Sequence, residues 1–153
     1  MKVQNSIVTE KDRKEWIGLL GSADPKDLEA ARKEHAQGVK ITHVVKPETG
    51  MIMVQAKADG SNGRFNLGEV TVSRCVLEVK NIYMGTSWVM GSNLRHAELA
   101  ALFDALLQDP ATHDQLADTL INQLKIKQIA KNERLAQDAS DTRVEFFTLK
   151  RGE

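Results

Sequence analysis

The spacing of apolar residues changes period along the chain, and each change predicts an element. Trp16, Ile17 and Leu20 form a short helical stripe. Thr9 and Asp12 ahead of it have the form of a capping box, and Gly21 reads as its stop. Asp24 and Pro25 restart the pattern: an aspartate N-cap, a proline at the first helical position, then Leu28, Ala31 and His35 on one side until Gly38. A helix pair is therefore expected over roughly 10–20 and 25–37. From Val39 the period falls to two, with Val39, Ile41 and Val45 alternating with Lys40, Thr42 and Lys46. The run Lys46-Pro47-Glu48-Thr49-Gly50 carries turn chemistry, and the residues from Met51 to Ala58 alternate again, which predicts a β-hairpin. Beyond the loop Asp59-Gly60-Ser61-Asn62-Gly63, strands are expected over about 65–80 and 82–90, with Asn81 at the turn between them.

Gly91-Ser92-Asn93 breaks the sheet, and Ser92 or Asn93 can cap the next helix. From Leu94 to Gln108 the chain is apolar almost all round. Leu99, Leu102, Phe103, Leu106 and Leu107 share one broad face, opposite Ala97, Glu98, Ala101, Asp104, Ala105 and Gln108. This predicts a central helix lying on the sheet, its second side thin enough for close approach by another surface. Asp109-Pro110 ends it. Thr112 with Gln115 opens a further helix carrying Leu116, Leu120, Ile121 and Leu124, and growing polarity toward Ala139 predicts a kink or break near Lys125. The run "RVEFFTL", 143–149, reads as a final strand. The resulting class is α+β in a single domain over 1–153. It comprises an N-terminal helix pair, a mostly antiparallel β-sheet, a central apolar helix packed on it, a C-terminal helical region and a final strand.

One segment does not fit a simple strand. In "GRFNLGEVTVSRC", Val70 and Val72 point one way while Cys75, Leu77 and Val79 continue in the opposite phase, with Glu69 and Arg74 beside the change. A β-bulge between Val72 and Cys75 is one reading, and an edge strand with a solvated arginine is the other.

Composition narrows the function. Of 153 residues, 41% are hydrophobic and 27% charged, as in a soluble globular protein. Lys+Arg 21 balances Asp+Glu 21, so the basic excess of a phosphate-gripping nucleic-acid binder is missing. No secretory signal and no run of about 18 apolar residues is found, so no membrane partner is expected and the cytoplasm is the natural location. A lone Cys75 forms no internal disulfide, and on an otherwise apolar strand side it reads as a small hydrophobe.

Familiar catalytic signatures are missing as well. There is no phosphate loop of the Gly-x4-Gly-Lys type, no Gly-x-Gly-x-x-Gly and no nucleophile elbow. His35, His43, His96 and His113 stand singly, so no metal site is expected. His96 falls in the first turn of the central helix, where the macrodipole favours neutral imidazole. It reads either as a base or ligand, or as a histidine hydrogen-bonded at a helix start beside Glu98. Asp59–Gly63 with Arg64 is either an anion-cradling nest or a mobile loop.

Three runs in order, "GRFNLGEVTVSRC", "GTSWVMGSNLRHAELAALFDALLQ" and "TRVEFFTLKRG", resemble the PhnG family, the G subunit of the carbon–phosphorus lyase core complex. The likeness extends from about Trp16 to the end of the chain. It implies a bacterial protein of phosphonate catabolism that acts with the H, I and J subunits. Together they form α-D-ribose 1-methylphosphonate 5-triphosphate from methylphosphonate and ATP, releasing adenine. In that family the radical carbon–phosphorus cleavage is ascribed to the J subunit with its iron–sulfur cluster, and nucleosidase chemistry to the I subunit. The resemblance carries over no catalytic residue and no cofactor bound by this chain, which lacks the cysteines a cluster needs. In its light Arg64, Glu69, Arg74, His96 and Glu98 become candidates for contact with a partner or a substrate. The rival readings are a stand-alone enzyme using His96 and Glu69 on a phosphorylated ligand, and a non-catalytic interaction module.

Overall fold

In the computed structural model, which describes residues 9–58 and 63–141, two helices lead into a sheet, and a buried helix comes after it. Helix α1, Glu10–Ser22, starts at the expected capping box: Thr9 accepts from the Asp12 amide, and Asp12 takes the Thr9 amide in return. It passes Gly21 and ends at Ala23. Helix α2, Pro25–His35, has Asp24 as N-cap and proline in its first turn. The strands are β1, Ile41–Lys57; β2, Arg64–Val79; and β3, Tyr83–Met90, antiparallel in the order β1-β2-β3.

The hairpin expected at 46–50 does not exist. Those residues lie inside β1, a continuous strand of 17 residues paired with β2 from Ile41↔Val79 to Lys57↔Arg64. Register shifts between His43 and Val45, and between Val45 and Glu48, absorb the turn-like composition. Pro47 has no N–H to give to a ladder, so the chain bulges past it without reversing. The reversal comes after Lys57, where the Ala58 amide bonds the Gly63 carbonyl at 2.9 Å. Neither the bulge nor the edge strand read between Val72 and Cys75 is found: β2 lies between β1 and β3 there and pairs with β3 without interruption from Val72↔Met90 to Val79↔Tyr83. Ser73, Cys75, Leu77 and Val79 face the core throughout, and Val72, Arg74 and Val76 face outward. The apparent slip arises because both faces carry apolar residues. At the three-residue β2–β3 turn Lys80 and Asn81 both take positive φ, 55° and 54°, and the Ile82 amide closes on the Val79 carbonyl at 3.2 Å.

Helix α3, Leu94–Gln108, is capped by Asn93, whose side chain accepts from the His96 amide. It is buried on nearly all sides, between the sheet and the helices α1, α2 and α4. The thin side of α3 meets β3: a Cβ on Gly85 would lie 1.9 Å from the Ala101 carbonyl oxygen, so only glycine admits this crossing. Asp109 caps α3 and also opens α4, Pro110–Leu116, accepting from the Ala111 amide. That helix therefore starts before Thr112, whose hydroxyl donates back to the Leu106 carbonyl. A π-helical turn, Ala117–Ile121, then leads into α5, Asn122–Asp141, so the irregularity precedes Lys125 and the helix runs straight through it. The loop over 59–62 and the strand expected at 143–149 lie outside the described residues.

One polar residue sits in the middle of this core. Asp104, expected on a polar face, has no exposed surface. Its Oδ1 accepts from Arg13 Nε (3.1 Å) and Trp16 Nε1 (2.8 Å), and its Oδ2 from Arg13 Nη2 (2.8 Å) and the Thr86 amide (2.9 Å). Asp104→Ala strands a guanidinium, an indole N–H and a strand amide, and is expected to cost about 3–5 kcal/mol. The check is the urea midpoint of the purified chain, and an unchanged midpoint would remove Asp104 from this role.

Candidate functional site

Two surfaces gather the charged residues that the sequence singled out. The first is an open cleft where the start of α3 meets β1, lined by His43, Lys46, Pro47, Leu94, Arg95 and Glu98. Glu98 lies one turn into α3 and points across to His43, with Oε1 3.0 Å from Nε2. Its other oxygen takes Arg95 Nη1, and Arg95 also donates to Glu29 on α2. The Arg95 guanidinium holds the Glu29 carboxyl below the ordinary carboxylate range. The chain Glu29–Arg95–Glu98–His43 thus ties α2, α3 and β1 together at one rim.

Cys75 is wholly buried on the core side of β2, with its thiol 3.6 Å from the Val45 carbonyl oxygen. Burial, and then the charge of Glu98, push the thiol up to about 11. A thiol of that kind stays protonated at neutral pH and is a poor nucleophile.

His96 does not join the cleft. It is 5% exposed, and its Nε2–H donates to the Leu20 carbonyl at 2.8 Å, bracing α3 against α1. Glu98, its neighbour in sequence, pairs with His43 instead.

The second surface is the outer face of the sheet. There Arg74 pairs with Glu48, its cross-strand partner, and lies over the Trp88 ring at 5.6 Å from the centroid. A shallow groove beside them is lined by Gly50, Met51, Ile52 and Val72. Glu69 and Arg64 lie farther along β2, exposed and on the opposite side of the ribbon from Arg74, where β1 and β2 pair with each other. The structure therefore sets Arg64, Glu69 and Arg74 along one strand and brings neither His96 nor Glu98 to them.

Sequence reasoning did not pair His43 with Glu98, because they lie 55 positions apart and no local spacing announces the contact. Asp104 did leave a signal, a carboxylate between Phe103 and Ala105 in the most apolar stretch of the helix. Among the described residues no group of three His, Cys, Asp or Glu side chains is placed to hold a metal ion, and no helix is long and apolar enough to cross a membrane.

Comparison with known proteins bears on the whole chain. A family model described as "Phosphonate metabolism protein PhnG" matches residues 11–152. The alpha-D-ribose 1-methylphosphonate 5-triphosphate synthase subunit PhnG of Rhizobium meliloti (strain 1021) is 37% identical over 141 residues, covering 92% of this chain and 90% of that protein.

The burial of Cys75 has a direct readout. In the folded protein at pH 8 the thiol is expected to resist iodoacetamide and to react once urea unfolds the chain. Cys75→Ala is expected to leave the activity of the assembled complex close to wild type. Rapid labelling of the native protein would show a reactive cysteine in its place.

Proposed function

The chain belongs to the PhnG family of phosphonate metabolism proteins, and from that premise we propose that it is an accessory subunit of a carbon–phosphorus lyase core complex. In this reading it acts with the H, I and J subunits in the cytoplasm. They form α-D-ribose 1-methylphosphonate 5-triphosphate from ATP and methylphosphonate and release adenine. The observation that carries the reading is the likeness to a synthase subunit along nearly the full length of both chains.

The geometry supports an accessory role over independent turnover. His96 and Glu69, the pair a stand-alone enzyme would use, are apart: one ring is held on a core carbonyl and the other side chain stands on an exposed strand. Substrate and cofactor chemistry then belong to the partner subunits, and this chain contributes surfaces. Arg64, Glu69 and Arg74 are the contact residues on the sheet. Glu98, with His43 and Arg95, is the polar group at the second rim, and His96 fixes the turn from which Glu98 projects.

The test is reconstitution. With ATP and methylphosphonate, the purified chain alone is expected to release no adenine. The H, I and J subunits are expected to release it fully only when this chain is added back. Adenine release by the chain alone would overturn the reading.

Arg74 gives a sharper measurement. Its pair with Glu48 is about half exposed, and such pairs contribute only about 0–1 kcal/mol. Arg74→Ala is therefore expected to melt near wild type yet co-purify less with the partners. An early-melting variant with normal assembly would make the pair an internal brace.

A further inference from the structure

We propose that the β1–β2 ribbon beyond Met90, residues 50–57 and 64–71, is a docking arm. It lies in an apolar groove of another subunit of the synthase, with its tip against acidic side chains there. The inference rests on the subunit reading above and names the element that makes the contact.

Among the described residues the ribbon meets the rest of the chain at its root, where the Gly91 amide donates to the Thr71 carbonyl at 2.8 Å. Strand β3 stops at Met90, opposite Val72, while β1 and β2 stay paired as far as Lys57↔Arg64. Helix α3 begins at Leu94 beside the end of β3 and runs back over Ser87 and Gly85, away from the ribbon. None of the residues 50–57 and 64–71 is buried. A two-stranded ribbon alone in water is marginal, and natural sheets gain stability from a third strand or a packed face.

Both sides of the ribbon carry exposed apolar side chains: Met51 and Met53, 69% and 51% exposed, alternate with Ile52 and Val54 along β1. From the register, Ile52, Val54, Ala56, Phe65 and Val70 share one side of the ribbon, continuous with Val72, Trp88 and Met90 on the outer face of the sheet. Trp88 is 50% exposed, Met90 68% and Phe65 45%. Contiguous apolar surface of this kind marks an interaction site.

The charge at the tip selects the occupant. Lys57 and Arg64 are direct cross-strand partners, and two cations placed opposite each other destabilise the pairing. Among the described residues neither enters an ion pair. A partner that presents carboxylates at the end of its groove removes that repulsion as it covers the apolar strip. The stem end offers no equivalent demand, since Glu48 already neutralises Arg74.

The test co-expresses the full chain with the H, I and J subunits, captures the complex through a tag on a partner, and reads two quantities. The first is the yield of this chain for wild type, Phe65→Asp and the double variant K57E/R64E. The second is amide hydrogen exchange of wild type, free and in the complex, which needs no variant to fold. Expected are a tenfold or greater loss of yield for both variants, and at least tenfold slower exchange over 50–57 and 64–71 in the complex. Wild-type assembly with unprotected arm amides and undiminished variant yields would overturn the arm and leave the subunit reading standing. Failure of the wild-type chain to co-purify would overturn both. Light scattering of the free chain covers the remaining occupant: a dimer that Phe65→Asp dissociates would assign the arm to a second copy and overturn the groove in another subunit.

Discussion

A carboxylate with no access to solvent holds three elements of this protein in place. Asp104 on α3 takes two donors on each oxygen, from Arg13 and Trp16 on α1 and from the Thr86 amide on β3. A buried charge is tolerable only when its lone pairs are met, and here each donor comes from a different direction, so the arrangement fixes the angle of α1 as well as its contact. Arg13 reaches on to the Met84 carbonyl, which Gln108 also meets. The free edge of β3 is thereby closed by side chains, and Gly21 of α1 sits against the Trp88 carbonyl on the same edge. An edge sealed in this way cannot accept a further strand.

The same constraint decides which surfaces are left over. With α3 pressed on one face of the sheet through Gly85, and α1 along the β3 edge, the outer face and the β1 edge remain open among the described residues. Those are the regions where Trp88, Met90, Ile52 and Phe65 stand exposed. Several charges elsewhere are matched within the chain. Lys80 reaches Asp109 at 2.6 Å and holds that carboxyl below its ordinary range, and Arg95 serves Glu29 and Glu98 together.

Much of this fold was legible from local chemistry. The Thr9–Asp12 capping box, the Asp24-Pro25 start, the Asn81 turn and the apolar helix over Leu94–Gln108 all appear where side-chain chemistry places them. What failed was non-local. Pro47, Glu48, Thr49 and Gly50 form good turn material, but pairing with β2 over the whole of β1 outweighs four unfavourable residues, and the strand bulges. The phase change at Cys75 was ambiguous because a sheet with apolar residues on both faces has no polar side to count from. The burial of Asp104 was not legible because helical spacing cannot tell water from a partner helix. The surface residues Arg64, Glu69 and Arg74 were rightly read as sharing one strand, but the contact of Arg74 with Glu48 spans 26 positions and that of His43 with Glu98 spans 55.

That contrast between local and non-local signals also separates the two candidate surfaces. At the cleft, Glu98 is held from both sides by His43 and Arg95, so a ligand arriving there must displace an existing partner. On the ribbon no ion pair among the described residues has to be displaced, and the cations at its tip repel each other. Covering the strip releases water at about 25 cal/mol per Å² of apolar surface, whereas exchanging one ion pair for another is nearly neutral. In the proposed docking, association is driven from the ribbon and the outer face of the sheet. The cleft is suited to setting orientation once the chains have met, through polar contacts that add specificity more than affinity.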